Sequence, residues 1–415
     1  MSIREMAAEN RSVKSEVESP YAWMRLFASL LIATIGGVGL WAVVVVLPAV
    51  EAEFGVARAG ASLPYTLTLM CFSVGGILMG RLVDRIGIVY PVIASGIVLG
   101  LGYMLTSQAE SLWQFAILHA LFVGGASSTM FAPLLADISH WFDRRRGIAV
   151  AVCASGNYLA GTVWPPLIQH FVADYGWRST FFGMGVFCLV TIVPLVAVLR
   201  RKPPHYQLSD LAGAQTGSQA RLGVSPNVLI SLLALAGVAC CVAMSMPQVH
   251  IVAYCGDLGY GAARGAEMLS LMLGFGVVSR LASGWIADRI GGLATVLLGS
   301  GLQAVALFLY LPFDSLPSLY LISALFGLFQ GGIVPSYAIV VREYFPPNEA
   351  GMRVSIVLMS TTIGMALGGW LSGALYDLTG DYQAAFINGI LWNVLNLAII
   401  GWLLLRKRSQ SPALA

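Results

Sequence analysis

Long apolar runs separated by short polar clusters dominate the chain. The runs from Leu26 to Val50 and from Ser300 to Phe313 contain no charged residue, whereas Asp143 begins a cluster of four charged residues. The runs approach or exceed the roughly 20 residues that a helix needs to cross a hydrocarbon core about 30 Å thick. They lack the period-two alternation of membrane strands, and backbone groups in lipid must be bonded internally. The pattern therefore predicts transmembrane helices.

We predict an all-α polytopic membrane protein with twelve spans. They lie at 26–48, 61–81, 88–107, 112–138, 148–171, 178–199, 227–254, 264–287, 293–312, 318–341, 353–375 and 383–405. The longest polar interruption, 200–226, contains the adjacent prolines Pro203 and Pro204 and a stretch rich in Gly, Ser and Gln, which is typical of a linker. It would separate two six-helix bundles, 26–199 and 227–405, with cytoplasmic tails at 1–25 and 406–415.

Composition agrees with a protein embedded in lipid. Hydrophobic residues make up 58% of the 415 residues and charged residues only 10%, against roughly 25% charged in soluble domains. If both termini are cytoplasmic, 19 of the 23 Lys and Arg residues fall on the cytoplasmic side and only Arg58, Arg178 and Arg264 fall outside. The positive-inside rule therefore predicts this orientation, in the inner membrane of the cell.

A motif in the first half is repeated in the second. Gly80, Asp84, Arg85 and Gly87 recur 204 residues later as the set Gly284, Asp288, Arg289 and Gly291. Tyr175–Gly176 matches Thr379–Gly380 at the same offset. Several matches at one offset indicate a duplicated six-helix unit, with a substrate path between two parallel halves.

The repeated motif has the chemistry of a gate at the membrane edge. Its glycines permit a tight turn and close helix approach, and its Asp and Arg can form an ion pair in only one conformation. Such a pair would lock the cytoplasmic side. We assign to this gate Gly80, Asp84, Arg85, Gly87, Gly284, Asp288 and Arg289, together with the basic residues Arg145 and Arg146. The alternative is a solvated turn whose charges only set the topology.

The motif G-x-L-x-D-R-x-G, with its echo in the second half, resembles the major facilitator superfamily over the whole chain. The stretch from Trp141 to Ala149, continuing to Gly156, is similar to the segment before helix five in the monocarboxylate transporters and their oxalate/formate-exchanger relatives. It departs from that segment at Ile148, Ala151 and Ala160. The resemblance implies twelve helices, alternating access and a small organic anion as substrate.

Arg280 is the sharpest feature, because it lies in an apolar span about 12 Å from the cytoplasmic turn. A cation there costs at least about 2.5 kcal/mol and should face the bundle interior or water. A guanidinium matches a carboxylate in a bidentate fork, and Arg280 aligns with the arginine of helix eight that binds substrate carboxylate in the resembled family. The alternative is a structural Arg280, capped by carbonyl groups or paired with Asp137 or Asp288.

The charged and titratable residues within the spans bear on the charge of the substrate and on where a coupled proton could bind. Oxalate exchangers carry a second cation in helix eleven, which has no Lys or Arg here, so a monoanion is favoured. Animal relatives place an Asp one turn before the arginine, where this chain has Gly276. A coupled proton would therefore need another group, and His250 and His119 are the histidines well within spans. Weaker candidates for hydrogen bonding to substrate are Asn157, Tyr158, Gln330, Tyr337, Thr361 and Thr362.

The sequence thus predicts a secondary active transporter of a small monocarboxylate such as lactate, pyruvate or formate, with proton coupling. The open alternatives are an anion exchanger, or a carrier of another amphiphilic molecule in which Arg280 is structural. We expect a monomer in the lipid bilayer, with a small organic monoanion and a proton as partners and no nucleic acid. An enzyme or sensor is disfavoured, because the sequence has no metal-ligand cluster, phosphate loop, nucleophile elbow or soluble domain. No cofactor is expected.

Overall fold

The computed structural model describes residues 17–201 and 223–410, and the described chain is helical. Most of the predicted N-terminal tail and linker, and half of the predicted C-terminal tail, lie outside the described residues. The helices before the linker are α1 (Pro20–Phe54), α2 (Arg58–Ile86), α3 (Val89–Thr106), α4 (Leu112–Ser139), α5 (147–175) and α6 (177–199). After the linker come α7 (Pro226–Asp257), α8 (Ala262–Ile290), α9 (Gly292–Leu309), α10 (Leu316–Tyr344), α11 (Pro347–Thr379) and α12 (Gln383–Gln410).

The described chain contains eleven helices long and apolar enough to cross a membrane, and one of them makes two crossings. That helix, Gly147–Leu199, has 53 residues. It would be about 80 Å long if straight, far more than one crossing needs. It turns at Gly176, where φ is 76° and ψ is 161°, a conformation that L side chains rarely adopt. The division at Gly176 gives twelve crossings, which confirms the predicted fold class.

Glycines in left-handed conformations repeat between the two halves. Gly55 and Gly259 follow α1 and α7, Gly87 and Gly291 follow α2 and α8, and Gly176 and Gly380 follow α5 and α11. Each pair is separated by 204 residues, the offset of the sequence repeat. Gly87 and Gly291 match closely, with φ of 82° and 83° and ψ of 168° and 162°. Turn geometry and sequence motif are therefore duplicated together.

Several of the membrane-spanning helices are interrupted along their length. The first is broken at Gly37, α5 at Ser155 and α10 at Gly331–Gly332, while α4 passes through a π-helical turn at His119–Gly124 and a 3₁₀ turn at Ser128–Met130. Interrupted helices have backbone groups that are not bonded within the helix, and membrane proteins place them where they line protein or a cavity.

The halves meet mainly through two helix pairs, α2 with α11 and α5 with α8, and α1 also contacts α7 and α8. We call the end with Glu51, Asp257 and Asp377 the acidic end, and the end with Arg85 and Arg289 the basic end. The acidic end is closed by hydrogen bonds between the halves. At the basic end, a Cβ added at Gly80 or Gly284 would meet no atom within 4 Å. In this structure the halves are therefore joined at the acidic end, and open space lies beside the glycines of the repeated motif.

The first helix begins earlier than predicted, at Pro20, with the Ser19 hydroxyl accepting a hydrogen bond from the Ala22 amide as its N-cap. Arg25, placed in a cytoplasmic tail by the sequence, is fully buried. Its guanidinium forms a bidentate pair with Asp137, at 2.7 and 2.8 Å. The apolar pattern did not predict this start, because a charged residue next to an apolar run is normally taken as the end of the span.

Candidate functional site

Arg280 lies on α8 where that helix packs against α5 of the opposite half. The side chain is half-buried, and its Nη1 donates a hydrogen bond to the carbonyl of Ala154 at 3.1 Å. Its Nε is buried and has no hydrogen-bond partner among the described residues. Within the same residues, no carboxylate lies within 4.0 Å of the guanidinium. Arg280 therefore faces the contact between the halves and keeps donors unused.

Carbonyl capping, one of the alternatives left open by the sequence, is present through Ala154. Pairing with Asp137 is not, because Asp137 pairs with Arg25. Asp288 is exposed at the basic end. The Ala154 carbonyl lies at the interruption of α5, which explains how it is available to a side chain on another helix.

Tyr158 covers one face of the Arg280 guanidinium, with the charge centre 4.2 Å from the ring centroid. This distance is typical of a cation–π contact. Gly276, one turn before Arg280, makes room for the ring, because a Cβ at this position would overlap the Tyr158 ring atoms. The aromatic ring of α5 thus occupies the space beside the position that carries an Asp in the resembled animal transporters.

Ser279, which precedes Arg280 on α8, is hydrogen-bonded to α10, a second interrupted helix. The Gly332 amide of α10 donates a hydrogen bond to the Ser279 hydroxyl at 3.1 Å. A Cβ at Gly331 would collide with the backbone of Gly276, so this glycine is needed for close approach of the two helices. The α8 backbone that carries Arg280 is therefore held by α10.

Asn157 borders the same region from α5. Its side-chain Oδ1 is buried without a hydrogen-bond partner among the described residues. Its backbone carbonyl accepts a hydrogen bond from the indole of Trp41 at 3.1 Å. A Cβ at Gly37, where the first helix is interrupted, would lie 3.5 Å from Asn157 Oδ1. Asn157 thus borders the interruption of α1, whereas Arg280 contacts Ala154 and Tyr158 of α5.

His250 lies apart from this group, in the closed acidic end. Its Nδ1 is 3.0 Å from the Tyr382 hydroxyl and its Nε2 is 2.7 Å from the Gly369 carbonyl. Because a carbonyl only accepts, Nε2 carries the hydrogen and Nδ1 accepts from Tyr382. His250 links α7 to α11 and to the turn before α12 within the second half.

His119 lies inside the first half. Its Nδ1 is 2.9 Å from the Thr68 hydroxyl, its Nε2 has no partner among the described residues, and its ring packs against Phe115, Tyr103 and Phe181. The structure does not bring it together with Arg280.

Gln330 and Tyr337 face the interior of the second half. Gln330 is fully buried, and its Oε1 accepts a hydrogen bond from Gln248 Nε2 at 2.9 Å. Tyr337 donates to Asn396 at 2.7 Å. Gln330 directly precedes the interruption of α10 that contacts α8, whereas Tyr337 lies two turns further along the helix.

The repeated motif lies at the basic end. Arg85, Arg145, Asp288 and Arg289 are exposed, and the Arg289 guanidinium stacks on the Trp285 ring at 3.6 Å. Gly87 and Gly291 end their helices, as the turn interpretation predicts. The side chains of Asp84 and Arg146 lie outside the described part of the structure.

Sequence reasoning missed one charged cluster that joins the halves. Arg58 was counted only as one of three external cations. In the structure its Nη1 and Nη2 bind Asp257 of the other half, at 3.0 and 3.2 Å. One feature of the sequence could have indicated this cluster. Arg58 lies just before a predicted span, on the side of the membrane where the sequence has few cations.

A helical membrane protein with two duplicated halves and a half-buried cation between them has the features of a secondary transporter. The family model described as Major Facilitator Superfamily matches residues 29–316 and, again, 284–415. The chain belongs to the Major Facilitator Superfamily. It is therefore a multi-pass membrane transporter and does not belong to an enzyme family.

Individual relatives agree with this assignment. The chain is 30% identical over 302 residues to Monocarboxylate transporter 13 of Bos taurus, covering 71% of this chain and 69% of that protein. It is 26% identical over 322 residues to the MFS-type transporter pynF of Aspergillus niger, covering 77% and 72%. Among solved structures, a bacterial homolog of the human lysosomal transporter Spinster, in an inward-facing and occupied conformation, gives a TM-score of 0.73 at 14% identity. That match covers 95% of this chain and 100% of the other.

Proposed function

We propose that this transporter moves a small monocarboxylate such as lactate, pyruvate or formate by alternating access, and that Arg280 binds the carboxylate. The observation that carries the proposal is the placement of Arg280 at the contact between the halves, with an unpaired buried Nε. A buried cation is stabilised by an anion, and the guanidinium fork fits a carboxylate. The monocarboxylate transporters among the relatives support the same substrate class.

The substrate is a monoanion because Arg280 is the only charged residue assigned to the site. Tyr158 stacks on one face of the guanidinium, so a carboxylate would approach through the plane of its N–H donors. Asn157, whose Oδ1 is unpaired, is suited to accept a hydrogen bond from a substrate hydroxyl. A dianion would leave one charge without a partner, which is costly in a low-dielectric site.

Alternating access assigns opposite roles to the two ends. The acidic end is closed, while Gly80 and Gly284 at the basic end have open space beside them. The distribution of positive charges favours an orientation in the inner membrane with the basic end in the cytoplasm. In that orientation, this structure is open toward the cytoplasm. The opposite state would bring the repeated motif of each half into contact and form its Asp–Arg pairs.

Proton symport is our first mechanism and anion exchange the second. One observation favours exchange: Gly276 and the Tyr158 ring occupy the place beside Arg280 where an acid could titrate. A symported proton must therefore bind away from Arg280. A carrier of another amphiphilic molecule, with Arg280 only structural, remains the third candidate through its Ala154 contact.

Counterflow in proteoliposomes tests the proposal. Labelled monocarboxylates and dicarboxylates are offered to wild type, Arg280→Gln and Arg264→Gln, with external pH varied. Arg264 lies on the same helix but is exposed and pairs with Glu267, so its replacement is the matched control. We expect monocarboxylate uptake that Arg280→Gln abolishes and Arg264→Gln retains. Normal monocarboxylate uptake by Arg280→Gln would contradict the proposal. Net uptake into vesicles without internal anion separates the mechanisms: uptake that is faster at acid external pH identifies symport, and no uptake unless internal anion is present identifies exchange.

A further inference from the structure

A cluster of charges at the acidic end joins the two halves around Arg58. This arginine is nearly buried and approaches two carboxylates from different halves of the protein. Its Nε lies 2.6 Å from Glu51 of its own half, and its Nη1 lies 3.0 Å from Asp257 of the other half. Glu51 and Asp257 therefore share one guanidinium.

A third carboxylate holds the start of α2. Both oxygens of Asp377, on α11, accept backbone hydrogen bonds, one from the Arg58 amide and one from the Ala59 amide, each at 2.8 Å. Free amides at a helix N-terminus stabilise an anion. Gly373 permits this approach, because even a Cβ there would lie 3.0 Å from the backbone of Arg58 and Ala59. The closed acidic end is thus a fitted contact between α2 and α11.

Neutral groups complete the cluster. Arg58 Nη1 donates to the Tyr382 hydroxyl at 2.7 Å, and the guanidinium lies 4.3 Å from the Tyr376 ring centroid. Tyr382 in turn donates to His250, whose other nitrogen is bonded to a backbone carbonyl. A proton on His250 would place a second cation beside Arg58 and remove the acceptor of Tyr382. Tyr254 packs on Tyr382 from α7.

The balance of charge in the closed cluster is negative. Three carboxylates, Glu51, Asp257 and Asp377, surround one arginine. Asp257 has two hydrogen bonds to the guanidinium and Asp377 has two backbone amides. Glu51 Oε2 is buried with no hydrogen-bond partner among the described residues, although it lies beside Arg58 Nε. Glu51 is therefore held by this one ion pair, whereas Asp257 and Asp377 each accept two hydrogen bonds.

We propose that Glu51 is a proton-binding site that locks the acidic end: it is protonated from the outer solution when the end closes and releases the proton when the end opens. Neutralising Glu51 removes its competition with Asp257 for Arg58, so the guanidinium binds fully across the halves. Closure also brings the like charges of Asp257 and Asp377 near Glu51 and excludes water, which favours the neutral form. By linkage, a group that binds protons more tightly in the closed state makes closure more favourable as pH falls.

This inference rests on the alternating access of the proposed function but not on its substrate. Because Glu51 takes up and releases its proton on the same side of the membrane, it sets the pH dependence of closure and does not itself carry a proton across. Acid outside would then favour the state in which the acidic end is closed.

A cysteine reporter tests the lock without substrate. Thr66 on α2 is buried and bonded to the Ala366 carbonyl across the halves, so Thr66→Cys becomes accessible only when the acidic end opens. The partly exposed native Cys71 is replaced by Ser. A membrane-impermeant maleimide is added at the acidic end in proteoliposomes between about pH 5.5 and pH 8. Ser62→Cys, at a second fully buried position of α2, serves as an independent reporter.

We expect the labelling rate to rise several-fold from acid to alkaline pH, and Glu51→Gln to give slow labelling at every pH. Asp257→Asn removes the bond across the halves and should give fast labelling throughout. Glu53→Gln is the control, because Glu53 pairs with Arg178 inside the first half, and it should keep the pH response. A flat wild-type response, or an unchanged response in Glu51→Gln, overturns the proposal. Neither result depends on whether a monocarboxylate is carried, so counterflow and labelling can fail separately.

Discussion

The Arg280 guanidinium of the second half lies 4.2 Å from the centre of the Tyr158 ring of the first half. This contact spans the boundary between the two bundles. It orients the guanidinium, while Gly276 leaves the space that the ring needs. A cation held by an aromatic face and one carbonyl is positioned without being neutralised, which is the state an anion-binding residue requires before its ligand arrives.

Replacing Tyr158 separates stacking from hydrogen bonding. Tyr158→Phe keeps a ring face under Arg280, whereas Tyr158→Leu removes it. Because a cation–π contact contributes about 0.5–2 kcal/mol, we expect Tyr158→Leu to raise the KM for monocarboxylate roughly 2- to 30-fold. Tyr158→Phe should stay near wild type. Initial uptake rates over a range of substrate concentrations provide the measurement, and equal KM values for the two variants would contradict the role of the ring.

The buried pair Arg25–Asp137 predicts a large effect on stability. Removing one partner leaves a buried charge without compensation, which costs about 3–5 kcal/mol. Asp137→Asn and Arg25→Met should therefore each lower the thermal unfolding temperature of the purified protein strongly. The double variant should lose less than the sum of the two single losses, since neither charge remains. Additive losses would show that the two residues act independently.

Close packing of α8 on α10 depends on Gly327. A Cβ at this glycine would overlap the backbone carbonyl of Met272, whereas Gly301 on α9 has open space beside it. We expect Gly327→Ala to destabilise the protein by roughly 1–3 kcal/mol, visible as a lower unfolding temperature. Gly301→Ala is the matched control and should be neutral or slightly stabilising, because alanine favours a helix. Equal effects at both sites would refute the packing argument.

The repeated glycines Gly80 and Gly284 test the gate. Both have free space in the present state, so Gly80→Leu and Gly284→Leu should leave the unfolding temperature almost unchanged. If the basic end must close during transport, the added side chains will block helix approach and reduce turnover by roughly tenfold or more. Wild-type turnover in both variants would show that the motif is only a solvated turn.

Much of the architecture could be read from the sequence because lipid imposes one simple pattern. Apolar runs of the necessary length and the common offset of the repeated motif predict twelve crossings in two halves, and the left-handed glycines lie at that same offset. The start of the first helix could not be predicted well. Arg25 looks like a tail residue until Asp137, 112 positions away in sequence, is known to be its partner.

The site was predictable only in part. An arginine in an apolar span must face protein or water, so Arg280 stands out in a single sequence. Its contact with Tyr158 depends on how two halves pack, and no local pattern encodes that. The same limit applies to Arg58, whose partners Glu51, Asp257 and Asp377 come from three helices. Histidines were selected for their titration range, which says nothing about whether His119 and His250 lie near Arg280.

The central claim is that Arg280 binds the negatively charged carboxylate of the substrate. The most direct measurement compares the affinity of the best monocarboxylate from the counterflow panel with that of its neutral carboxamide, using calorimetry on purified wild type and Arg280→Gln. A charge-assisted hydrogen bond contributes about 1.5–3 kcal/mol, so wild type should prefer the acid by roughly tenfold or more, and the preference should vanish in Arg280→Gln. An equal preference for the acid in both proteins would contradict the account.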